Sequence, residues 1–228
     1  MISLLLASAF FLLIHFAVSG TRLRDALVAR IGESAYQGGF SLASLAGLVW
    51  MGTAYSRAPA IELWGRLPGL RPVAFGAVFV GVLFVVLGLA SSNPTTVGQQ
   101  GRLARGPDAV RGITRITRHP FLWGVALWAL VHLTVNGDLA SLVLFGSLLL
   151  LALAGPAVID AKLSRRLGER WQAFESATSN VPFAAIAAGR NQLAPALREI
   201  GPVRIVVAVA VYALIFALHG RVIGAPLT

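Results

Sequence analysis

Six long apolar blocks constrain this 228-residue chain more than any other feature of it. They run from about Ile2 to Val18, Phe40 to Tyr55, Val73 to Ala90, Phe121 to Val135, Leu139 to Ile159 and Val203 to Leu218. Roughly 16 to 21 apolar residues, wound as a helix, match the hydrocarbon thickness of a bilayer. The blocks are continuously apolar rather than alternating, which excludes a transmembrane β-barrel. Charged residues make up only 12% of the chain, against about 25% in soluble domains, which excludes a disordered chain and argues against a soluble enzyme. The expected fold is all-α: a polytopic helical bundle in the membrane, about six transmembrane helices, forming one domain over residues 1–228.

The charge pattern predicts the orientation. Nineteen Lys and Arg face nine Asp and Glu, a net charge of +10. In a soluble chain that excess would suggest nucleic acid, but there is no aromatic-interleaved basic groove, and no nucleic-acid partner is expected. Fifteen of the basic residues fall in the segments after blocks one, three and five, and four on the opposite side. By the positive-inside rule those three segments are cytoplasmic and both termini lie outside. The first block has no preceding positive charge and is followed by Arg22, Arg24 and Arg30, which reads as an uncleaved anchor.

The connections differ in kind. Asn136-Gly137-Asp138 predicts a tight turn joining blocks four and five as an antiparallel hairpin. Ser91 to Gly112 reads as a mobile cytoplasmic loop. Asp160 to Gln172 reads as a helical extension, with Leu163, Leu167 and Trp171 along one stripe lying on the membrane surface. Ser176 to Pro202 carries three prolines and short apolar patches expected at the interface. Cysteine is absent, which excludes disulfides, thiolate metal ligands and cysteine nucleophiles. No Walker loop, HExxH, GxSxG or dinucleotide fingerprint is present.

Ionisable residues within bilayer helices are candidates for function by default. All four histidines, His15, His119, His132 and His219, lie in the blocks or at their ends. His15 shares a stripe with Phe11 and Ser19. It is equally readable as a buried histidine bonding a neighbouring helix. His132 lies on the stripe Gly124, Trp128, His132, Asn136. Glycine there admits a close helix or a flat ligand, and tryptophan supplies a planar wall; a packing seam with one polar clasp is the competing reading. His119, in Arg118-His119-Pro120, opens block four, where arginine and the helix start attract anions. His119 and His132 are about 140° apart around a straight helix and cannot both face one small ligand. His219 reads as an interfacial cap. Asp160 is expected to pair with Arg118 or Arg115.

Imidazole is a standard axial ligand, and helical bundles commonly hold macrocycles. With no cysteine and only two methionines, a histidine pair is the most plausible ligation of haem iron. By depth the pair is His15 and His132, about 10 Å and about 18 Å from the cytoplasmic ends of their helices.

The segment Gly112-Ile113-Thr114-Arg115-Ile116-Thr117-Arg118-His119-Pro120-Phe121-Leu122-Trp123-Gly124 leads into Ala126-Leu127-Trp128-Ala129-Leu130-Val131-His132-Leu133 and Asn136-Gly137-Asp138. It strongly resembles the NnrU family of bacterial integral membrane proteins. Phe145-Gly146, Ile159-Asp160, Leu167-Gly168-Glu169-Arg170-Trp171, Val181-Pro182-Phe183 and His219-Gly220-Arg221 extend the match, as do His15, Ser19, Gly20, Arg24 and Ile31-Gly32-Glu33. The resemblance implies an inner-membrane role in nitrogen-oxide metabolism, linked to denitrification and to the expression or function of nitric oxide reductase, whose components are implied partners. Plant and cyanobacterial members are 15-cis-zeta-carotene isomerases that use haem b. That relation implies haem b here, with His15 and His132 as the metal ligands. A cofactor site of His15, His132, Trp128, Gly124, Arg118 and His119 follows, with a hydrophobic small molecule as substrate. The sequence is also distantly similar to isoprenylcysteine and phospholipid methyltransferases, which bind S-adenosylmethionine. It has Asp160-Ala161 where those tend to carry paired glutamates.

Overall fold

The computed structural model describes residues 1–96 and 98–224. Among them regular structure is helical throughout, apart from one isolated bridge between Glu62 and Asp138. The all-α expectation holds. The chain divides into two compact units, Met1–Ala74 with Ala129–Lys162, and Phe75–Trp128 with the chain from Leu163 onward.

The first unit begins with α1 (Ile2–Leu13), which continues without a break as a π turn over Ile14–Ser19. Thr21 then caps α2 (Arg22–Ile31), its hydroxyl accepting from the Leu23 amide at 3.2 Å. Gly32, at φ 84°, turns the chain into α3 (Glu33–Ser56). Arg24 is buried, and its guanidinium is satisfied by Asp25 and Glu33 and lies 5.3 Å over the Tyr36 ring. Two apolar clusters join α1 and α3 to α6 (Leu139–Leu167). One is built on Leu4, Ala54 and Ala140, the other on Ala7, Phe11 and Met51 with Leu144, Leu148 and Leu151 packed against them.

The hairpin predicted at Asn136-Gly137-Asp138 is present between α5 (Pro120–Asn136) and α6. Gly137, at φ 67°, offers its carbonyl to the amides of Leu63, Trp64 and Gly65 at 2.9, 3.1 and 3.2 Å. Asp138 caps α6 through the Ser141 amide and hydroxyl at 2.8 and 2.7 Å.

The second unit holds α4 (Arg71–Ala90) from Phe75 on, the first half of α5, α7 (Glu169–Ala177), α8 (Ala184–Ala187), α9 (Leu193–Ile200) and α10 (Pro202–Ile223). Tyr212 of α10 donates to the Phe75 carbonyl at 3.2 Å and meets Phe79 edge-on. Leu87, Ile113, Ile116, Ala196 and Ile200 form an apolar core beneath the start of α5.

Four helical segments are long and apolar enough to cross a bilayer: Ile2–Ser19, Pro68–Ala90, Leu139–Leu167 and Pro202–Ile223. Their large exposed side chains, among them Leu6, Val73, Leu153 and Val206, suit a multi-pass membrane protein, in which lipid rather than water meets them. The block at Phe121–Val135 lies in a 17-residue helix, and that at Phe40–Tyr55 in α3, whose glycines and hydroxyls dilute its apolar character.

Three local expectations are corrected. Within the segment expected to be a loop, a 3-10 stretch kinked at Gly106 spans Gln100–Ala109, and Asn93 and Thr95 both bind the Arg118 carbonyl, at 3.0 and 2.9 Å. The Leu163 and Trp171 stripe is buried in protein rather than laid on a membrane, because α7 packs against that 3-10 stretch. His219 does not end its helix; α10 runs on to Ile223 and is stopped by Gly224 at φ 77°.

Candidate functional site

His15 and His132 both belong to the first unit. His15 sits inside the π turn, a widened helical segment that occurs preferentially at functional positions. Its Nδ1 lies 2.8 Å from the Phe11 carbonyl one turn back. A carbonyl only accepts, so Nδ1 carries the proton and Nε2 keeps the lone pair. The ring is tilted against Phe11 at 4.4 Å between centroids and edge-on to Phe40 at 5.1 Å. The imidazole is therefore half-buried and held in orientation by α1 and α3 together.

His132, also half-buried, lies 4.9 Å from the Phe145 ring of α6. One turn on, Asn136 donates to Ser141 at 3.1 Å, and Ser141 and the Tyr55 hydroxyl are 2.9 Å apart. Phe145 also meets Tyr55 edge-on at 5.9 Å. The α5 and α6 hairpin thus fixes the His132 side, while the apolar cluster on Phe11 ties α1 to α6 on the His15 side.

Imidazole nitrogen is a donor that suits haem iron. Among the described residues no three His, Asp or Glu side chains converge as an ion held by protein alone requires. Iron in a porphyrin needs only axial donors, and a ligating histidine characteristically donates its second ring N–H to a backbone carbonyl. His15 has that arrangement.

The other predicted site residues have different surroundings. Gly124 is packed by α4: a Cβ there would lie 2.5 Å from the Gly81 carbonyl oxygen and 2.6 Å from a Val85 methyl. Its smallness serves a close helix crossing. Trp128, half-buried, follows one turn later on α5. Arg118 and His119 are buried in the second unit, in a polar strap over the start of α5. The Arg118 amide donates to Ser179 at 2.9 Å, and its guanidinium reaches Glu175 at 3.3 Å. The Thr117 hydroxyl donates to the Asn180 carbonyl, and Trp123 Nε1 donates to it at 2.9 Å.

Arg115, one of the two partners that the sequence offers Asp160 beside Arg118, grips Glu199 with Nε and Nη2 at 2.8 and 2.9 Å. That contact holds the Glu199 carboxyl below the usual carboxylate range. The aromatic seats of the two histidines escaped the sequence reading in part. Phe11 was visible at a four-residue spacing, but Phe40 and Phe145 come from other helices and carry no local signal.

Comparisons with known proteins add the relationship. The 15-cis-zeta-carotene isomerase of Arabidopsis thaliana, chloroplastic, is 27% identical over 197 residues, 84% of this chain and 52% of the relative. The chloroplastic enzyme of the same name from Zea mays is 38% identical over 82 residues, 36% of this chain and 22% of the relative. The chain thus spans about half the length of the first of these relatives or less of the second. No solved structure matches. The family described as NnrU protein matches residues 3–227, nearly the whole chain. The chain therefore belongs to the NnrU family and is distantly related to 15-cis-zeta-carotene isomerase.

Proposed function

We propose that this chain is a bacterial inner-membrane protein that binds haem b, whose iron His15 and His132 would hold. The observation that carries the reading is the Nδ1 contact of His15 with the Phe11 carbonyl at 2.8 Å, which leaves Nε2 as the donor. Haem, when bound, would supply reversible ligation and one-electron redox chemistry. The chain's own residues do the rest: Phe11 and Phe40 orient one imidazole, Phe145 supports the other, and apolar helices exclude water. In this reading the chain works as one transmembrane domain with six crossings and both termini outside, α3 and α5 completing the count. Its role is in nitrogen-oxide metabolism, in support of nitric oxide reductase.

A second reading is favoured by the curated relatives: a haem-dependent cis-trans isomerase of a hydrophobic polyene.

The test is a visible spectrum of the full chain purified in detergent and reconstituted with haem b. A Soret band expected in the wild type should lose its six-coordinate character in both His15→Ala and His132→Ala. A protein that stays colourless overturns the haem reading, and one that is colourless yet binds S-adenosylmethionine replaces it with a methyltransferase. Chromatography of a 15-cis polyene incubated with the haem-loaded protein separates isomerase from accessory protein.

A further inference from the structure

The second unit contains a basic cavity of about 170 Å³ that the haem reading does not use. Arg102, Arg105, Arg111 and Arg204 line it, with the hydroxyl-bearing Ser91 and Ser92. Arg102 and Arg105 lie three residues apart in the 3-10 stretch Gln100–Ala109, and in that winding side chains three apart eclipse one another. The two guanidinium groups therefore leave the backbone on one side. Arg204 is oriented by the main chain: Nε donates to Ala90 at 3.2 Å and Nη1 to Ile200 at 2.8 Å. These contacts fix the direction of the side chain without neutralising it.

Two carboxylates, Asp108 and Glu199, also face the cavity. Glu199 is already spoken for. Arg115, outside the lining, takes both of its oxygens, and the Gly112 amide donates to it at 2.6 Å. Four guanidinium groups thus face Asp108 and a Glu199 carboxylate that is held first by Arg115 and acts also on Arg111, so positive charge remains in excess around the cavity. Like charges gathered around one concavity at a membrane surface repel, and an anion bound among them removes that repulsion. A basic loop that only orients helices has no need to point its arginines into a shared hollow.

We infer that this cavity binds a phosphate group, through bidentate arginine contacts and the two serine hydroxyls. It has room for the phosphate and a few waters, each water taking about 30 Å³. An open surface groove beside it shares Arg102 and Arg105 and leaves the cavity accessible to a larger phosphate ester. The phosphate comes from an anionic phospholipid headgroup or from a soluble phosphate; the chemistry is common to both.

Thermal unfolding of the full chain tests this without reference to haem. Inorganic phosphate is titrated in detergent against sodium chloride of equal ionic strength, and nanodiscs of phosphatidylglycerol are compared with phosphatidylcholine. Phosphate, or phosphatidylglycerol alone, should raise the wild-type midpoint by about 3 °C or more at saturation. A rise with phosphate but not in phosphatidylglycerol points to a soluble phosphate, and a rise in phosphatidylglycerol to the headgroup. The shift should vanish in Arg102→Gln/Arg105→Gln, weaken in the charge-keeping Arg102→Lys/Arg105→Lys, and persist in Arg198→Gln, an exposed arginine outside the cavity. No rise in either arm, an equal rise in chloride, or an undiminished rise in the lysine variant overturns the proposal. The lysine variant keeps the charge, so its result stands even where the glutamine variant fails to fold.

Discussion

The Nδ1 of His15 lies 2.8 Å from the carbonyl oxygen of Phe11, inside a helix that widens into a π turn at that point. One contact settles which ring nitrogen keeps its lone pair. It also ties the orientation of the imidazole to the packing of the first helix, because the Phe11 ring and carbonyl both steer it.

If two imidazoles hold the iron, their loss should be reversible from solution. His15→Ala and His132→Ala should each shift the reconstituted protein from a low-spin to a high-spin spectrum. Added imidazole should restore the low-spin form in either variant. A variant whose spectrum stays that of the wild type removes that histidine from the ligand set.

Gly137 is constrained by both its backbone and its surroundings. Its φ is 67°, and a Cβ would stand 2.0 Å from the Gly65 carbonyl oxygen. Gly137→Ala should destabilise the protein by about 3 kcal/mol, from backbone strain and a clash with a fixed carbonyl. A denaturant titration in mixed micelles measures it.

Gly124 and Gly76 should behave oppositely. At Gly124 a Cβ meets the Gly81 carbonyl and Val85, so Gly124→Ala pushes α4 from α5 and costs about 1–3 kcal/mol. At Gly76 a Cβ meets nothing within 4 Å, so Gly76→Ala gains about 0.5–1 kcal/mol through helix propensity. Equal thermal midpoints for the two variants would refute the close crossing.

The Arg115 and Glu199 pair makes stability depend on acid. Arg115 donates two hydrogen bonds to the carboxylate, which lowers its pKa in the folded protein. The folded state therefore binds its proton less readily than the unfolded chain does. The stabilisation is full above the ordinary glutamate pKa of about 4.3 and is lost as pH falls through the lower folded value. Glu199→Gln should cost about 1–2 kcal/mol at neutral pH and flatten the acid limb of a stability-against-pH curve. An acid limb as steep as the wild type's would assign it to other groups.

Much was legible in the residues taken in order. Apolar block length specified helices. Asn136-Gly137-Asp138 specified a hairpin, because the turn needs a positive φ that glycine supplies. These are local properties, written within a turn or two of the chain, and local sequence suffices to encode them. Tertiary structure decided the partners. The Glu199 that binds Arg115 is 84 residues away, and the Asn180 carbonyl that holds Thr117 and Trp123 is 63 and 57 residues from them. Which surface fills the notch of Gly124 depends on where α4 crosses. The seating of His132 against Phe145 depends on the hairpin closing. No periodicity announces such pairings, because each arises from the shape of two packed surfaces rather than from the preference of either segment alone.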